Sequence, residues 1–253
     1  MALSINPALL IGFCFALTRT ISWAIICPPF NSQSIPVRVR LGFAVAVSFL
    51  IAERVAPANP DLAMTALVGG LLRQALAGIA VGMLVLILFS AIQAAGELID
   101  LQVGFSLGGV IDPMSGNMAS PIGRFHQLLA IAILFSIDGH VLVMRGFLRS
   151  VDAAPTATLD LGELGQQAIR MVSMMTAGAI EIALPVLAAL FATEVVLGLL
   201  GKAAPQLNVL VLGFALKSLV AFSLLGTTLV LLPETTSSLL GKAVRAGLQV
   251  FGG

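Results

Sequence analysis

The residues that could carry chemistry in this sequence are few and scattered. Histidine occurs twice, at His126 and His140, and only Asp138 lies at ligand-like spacing from either, so no set of metal ligands can be assembled along the chain. Cys14 and Cys27 sit in one apolar run with neither a CxxC spacing nor a disulfide framework, and they read as inert core thiols. Ser115 followed by Gly116, with His140 downstream, is the nearest approach to a nucleophile and a base, but HExxH, GxSxG, P-loop and GxGxxG patterns are all absent. The sequence therefore points away from an enzyme and implies no cofactor and no metal. What it offers instead is electrostatics: Arg19, Asp138, Glu181, Glu194 and Lys217 stand inside apolar runs, and Asp100 stands where the central run gives way to a glycine-rich stretch.

Those charges must be positioned by elements that are themselves almost wholly apolar. Of 253 residues, 58% are hydrophobic and 10% charged, with a mean hydropathy of +1.07, whereas soluble domains carry about 25% charged residues. A net charge of +1, from 13 basic and 12 acidic residues, supplies no excess to neutralise phosphates and argues against nucleic acid as a partner. Apolar stretches cover residues 8–27, 41–52, 64–95, 125–144, 171–200 and 206–232, giving about six segments and an all-α, polytopic, membrane-protein-like fold of helical hairpins. The second stretch is short and the third too long for simple spans of about 20 residues, which fits helices packed on protein better than lipid-bathed ones. The first run lacks a preceding Lys or Arg and a small-x-small cleavage site, so it reads as a retained helix ended by Pro28 and Pro29. Residues 145–170 read as a polar loop with a helical lead-in. Basic residues give no orientation: Arg38, Arg40, Arg124 and Lys202 on one side are matched by Arg54, Arg145, Arg149, Lys242 and Arg245 on the other.

An ionised residue at the centre of a lipid-facing helix costs roughly 2.5 to 3.5 kcal/mol, so each of these charges should face protein or water. Glu194 and Lys217 flank a tight connection at distances from which long side chains could just meet, either as an intramolecular pair or as subunit contacts. Pro185 removes the N–H that the carbonyl of Glu181 would accept from, which predicts a kink. Gly78 and Gly82, with Gly70 on nearly the same face, predict close helix packing. The stretch from Gly96 to Asn117 combines glycines with a soft apolar set, Phe105, Leu107, Val110, Ile111 and Met114, and a loop of that kind at membrane depth must be buried or line a cavity. It can serve as a gate or as a plain connection.

Pro28-Pro29-Phe30 with Ile35-Pro36-Val37-Arg38, the stretch from Gly96-Glu97 to Asp112-Pro113, Asp138-Gly139-His140, and Ala204-Pro205-Gln206-Leu207-Asn208 with Gly213-Phe214 together resemble the FliR/SctT family of type III export-gate membrane proteins. Asp138-Gly139-His140 and Gly213-Phe214-Ala215-Leu216-Lys217 look more flagellar than injectisome-like, although Ala215 stands where the family usually has proline. The resemblance implies one export-gate domain over 1–253, with N-terminal hairpins at about 8–95, a central plug loop at about 96–123, C-terminal hairpins at about 125–232 and a tail at 233–253. It further implies a hetero-oligomeric helical assembly with FliP-type and FliQ-type subunits beside an FlhB-type subunit, in the flagellar basal body of the bacterial inner membrane. Unfolded flagellar proteins would pass through its centre. Phe105, Leu107, Gly108, Gly109, Val110, Ile111 and Met114 would plug the closed pore, and Arg19, Asp100, Asp138, Glu181, Glu194 and Lys217 would be buried charges or subunit contacts. Two rivals remain open: a small-molecule secondary transporter, which inverted repeats would support though none is found, and a purely structural scaffold.

Overall fold

The computed structural model describes residues 6–32, 35–58, 62–105, 120–157, 160–206 and 208–251. Among them the chain forms seven helices: α1 (Pro7–Ile26), α2 (Val37–Val55), α3 (Met64–Val103), α4 (Pro121–Ser136), α5 (Gly139–Ala153), α6 (Leu161–Ala203) and α7 (Val209–Gln249). Helices α1, α3, α6 and α7 are each long and apolar enough to cross a membrane; α4 with α5 makes a fifth candidate if counted as one broken span.

Local chemistry sets several of the helix starts. Asn6 accepts from the N–H of Ala8 and is followed by Pro7 in the first turn, where its missing N–H costs nothing. Asp160 accepts from the N–H groups of Gly162 and Glu163 to start α6, and Asn208 from that of Val211 to start α7.

The boundaries differ from hydropathy in five places. Helix α2 is 19 residues long because Arg38, Glu53 and Arg54, which depress local hydropathy, simply point outward. The run 125–144 is two helices: the backbone turns at Asp138, whose φ of 55° is a left-handed conformation that Asp tolerates better than most residues. Residues 145–170 are mostly helical, belonging to α5 and α6 with only 154–160 between. Residues 233–249 are no tail but the continuation of α7 past Pro233, and Leu239, Leu240, Ala243 and Ala246 bury a helical stripe there. Similarly, α3 runs through Gly96 to Val103. Pro185 lies inside α6.

Two compact units are distinguished. The first comprises Met1–Leu88, Asp138–Val172 and Leu239–Gly253. Its core stacks Trp23 on Phe147 at 4.5 Å, with the Phe30 ring tilted against Trp23 at 5.2 Å. Here Gly78 has no room for a Cβ, which would collide with the carbonyl of Arg19 and the hydroxyl of Ser22, and at Gly82 a Cβ would fit only tightly, 3.1 Å from the carbonyl of Trp23. The small residues thus serve α1–α3 contact within the chain. Cys27 is buried, but Cys14 is exposed, so only one of the two cysteines is a core thiol. The second unit comprises Phe89–Ile137 and Ser173–Ser238.

Candidate functional site

The second unit contains both ends of the central segment 106–119, which itself lies outside the described residues, as do Leu107, Gly108, Gly109, Val110, Ile111 and Met114. Helix α3 stops because Gly104 takes a φ of 104°, open to glycine alone without strain. The N–H groups of Gly104 and Phe105 both donate to the carbonyl of Asp100 at 3.0 Å, a Schellman-type closure.

The side chain of Asp100 does something more. It is buried, with 1% exposure, and it accepts from the hydroxyl of Ser120 and from the N–H groups of Ile122 (3.0 Å) and Gly123 (3.1 Å). Those N–H groups belong to the first turn of α4, which has no intrahelical acceptor for them. The carboxylate is thus balanced by a helix N-terminus instead of a cation. Ser120 also caps the helix, its hydroxyl accepting from the N–H of Gly123 at 3.1 Å, and Pro121 follows in the first turn. Close contact requires glycine on both helices: a Cβ on Gly96 would lie 2.6 Å from the Cα of Gly123. Just beyond, buried His126 places Nδ1 2.9 Å from the carbonyl of Ile122 and Nε2 3.2 Å from the hydroxyl of Thr228.

Phe105 leaves this clasp toward α7, its ring edge-on to Phe214 at 5.6 Å and tilted against Phe222 at 6.1 Å. Beside it opens a mainly apolar cavity of about 840 Å³, lined among others by Leu101, Leu197, Leu210 and Phe214. Its polar corner is one cluster. Lys217 Nζ lies 3.1 Å from Glu194 Oε1, and Gln102 Nε2 donates to Glu194 Oε2 at 2.8 Å. The two long side chains do meet within the chain, although Glu194 keeps 53% of its side chain exposed.

Arg19, in the first unit, is fully buried and has no carboxylate partner among the described residues. Its guanidinium donates to the carbonyls of Ser150 (2.6 Å) and Ala154 (2.8 Å) at the C-terminal end of α5, and to Gln74 Oε1 (3.3 Å), with the Phe251 ring 5.3 Å away. Gln74 in turn donates to the carbonyl of Pro155 at 2.7 Å. Asp138 and Glu181 are exposed on this chain, the one at the α4–α5 break and the other on α6. Sequence reasoning missed Gln74, Ser120, Gly123 and Gln102. Only Ser120-Pro121 before an apolar run had a readable signal, that of a helix start.

No group of three His, Cys, Asp or Glu side chains among the described residues could hold a metal ion. Residues 10–243 match the family model described as bacterial export proteins, family 1. The chain belongs to this family. It is 31% identical over 219 residues to the flagellar biosynthetic protein FliR of Escherichia coli (strain K12), covering 85% of this chain and 83% of that protein. It is 29% identical to the FliR of Pectobacterium carotovorum subsp. carotovorum, covering 91% and 88%. Similarity extends to the surface presentation of antigens protein SpaR of Shigella flexneri, 28% identical over 53% of this chain and 52% of that protein. As a member of the bacterial export family, the chain has in Asp100, Phe105 and Ser120 the described borders of its central glycine-containing segment.

Proposed function

We propose that this chain is a subunit of a flagellar type III protein export gate, assembled with FliP-type and FliQ-type membrane subunits beside an FlhB-type subunit in the basal body of the bacterial inner membrane. Unfolded flagellar proteins pass through the pore, and the central segment, with Phe105, Leu107, Gly108, Gly109, Val110, Ile111 and Met114, plugs it when closed. The observation that carries this reading is that, in a chain of an export family, segment 106–119 leaves and rejoins the fold at one point, where Asp100 holds Ser120, Ile122 and Gly123.

A segment tied at its base can be displaced by a passing polypeptide and return without unravelling the helices that carry it. Exposed Asp138 and Glu181 are supported as subunit contacts by the cost of leaving carboxylates against lipid. Any nucleotide-derived export energy would come from another component, because this chain carries no nucleotide-binding motif.

Shortening residues 107–114 should leave co-purification with the FliP-type and FliQ-type subunits intact while making the membrane leak ions. Unchanged conductance would sink the plug. Loss of the complex would favour the scaffold reading instead.

A further inference from the structure

We infer that Asp100 is the positioning residue of the plug: its backbone carbonyl and its carboxylate between them fix the two borders of segment 106–119. The inference rests on the reading of that segment as a plug. Three features carry it. Asp100 works at both borders at once, its backbone carbonyl closing α3 on Gly104 and Phe105 and its side chain holding Ser120, Ile122 and Gly123. It is 1% exposed and has no cationic partner among the described residues, so the N–H groups of α4 are what compensates it, and it cannot exchange them for water without a large cost. The Gly96–Gly123 approach leaves no room for a side chain that would wedge the two borders apart.

Near-isosteric Asp100→Asn is the informative change, because it removes the charge, leaves one oxygen to accept from Ser120, Ile122 and Gly123, and sets an amide NH₂ where Oδ1 now lies 3.3 Å from the N–H of Ile122. The experiment uses the whole membrane assembly. In Asp100→Asn, hydrogen exchange at Ile122 and Gly123 should quicken about tenfold, the scale of one lost charge-assisted hydrogen bond. The membrane should leak ions although chain abundance and co-purification with partner subunits stay normal. A purely structural role would lower abundance and assembly without a leak from the complexes that do form.

Unchanged exchange overturns the clasp. Faster exchange with a tight membrane, while the 107–114 deletion leaks, overturns its role in positioning the plug. A tight deletion variant overturns the plug reading itself, and the exchange result then still decides whether the clasp exists. Should Asp100→Asn fail to assemble, Ser120→Ala decides: it keeps the carboxylate and its backbone donors and removes one hydroxyl. It should give a smaller rise in exchange at Gly123 and a smaller leak, and no change in either would overturn the inference.

Discussion

Arg19 and Asp100 solve one problem with opposite signs. Each is an ionised side chain buried in an apolar unit, and each is compensated by a helix end. Arg19 donates to the carbonyls that close α5, while Asp100 accepts from the N–H groups that open α4. A helix end carries about half an elementary charge and several unmade hydrogen bonds, so one charged side chain satisfies both needs. Glu194 and Lys217, by contrast, form an ordinary ion pair with one partner half in the open. The two buried charges thus each answer a helix end, whereas this exposed pair joins one side chain to another.

The comparison can be broken most forcefully at Arg19. Arg19→Met should cost about 3 to 5 kcal/mol, because it strands the carbonyls of Ser150 and Ala154 and the amide of Gln74, and the amount of chain recovered in the assembled complex should fall accordingly. Asp100→Asn should cost about 1 to 3 kcal/mol, read as a lower melting temperature of the purified assembly. A loss at Asp100 as large as that at Arg19 would show that the second unit depends on its charge as strongly as the first.

Gly96→Ala tests the geometry apart from the charge. Forcing a Cβ to within 2.6 Å of the Gly123 backbone should cost about 1 to 3 kcal/mol and should not be additive with Asp100→Asn, since both act on the same contact. The exposed pair comes next. Glu194→Gln and Lys217→Met should each change stability by no more than about 1 kcal/mol, with a coupling of about 0.2 to 1 kcal/mol in a double-mutant cycle. If Glu194→Gln alone stops motility and Lys217→Met does not restore it, Glu194 meets a partner subunit as well. Smallest of all, Arg54→Ala should leave stability nearly unchanged, because its contact with Asp152 at 2.9 Å is more than half exposed on both sides and salt will screen it.

Much of the helical plan was legible in particular residues. Pro28 and Pro29 end α1, and Gly78 with Gly82 mark a close helix contact, because backbone sterics act locally and leave their signature in residue type. Hydropathy misplaced the ends of α2 and α7, since Arg54 and Glu234 on a helix surface look the same in sequence as residues in a loop. It also ran α4 and α5 together, because Asp138-Gly139 interrupts an apolar run without making it polar. Of the site, Asp100 and Phe105 were visible as candidates, but not what they touch.

By itself, then, the sequence determined that this is a chain of long apolar helices with a handful of charges that must be sheltered, since composition fixes the solvent a segment can tolerate. Only the tertiary structure decided what shelters them. Ser120 and Gly123 approach Asp100 across a segment of chain, and Ser150 and Ala154 approach Arg19 from far along it. The groups that answer both charges include backbone N–H and C=O, which every residue type carries and no sequence pattern reveals until a helix end is brought alongside.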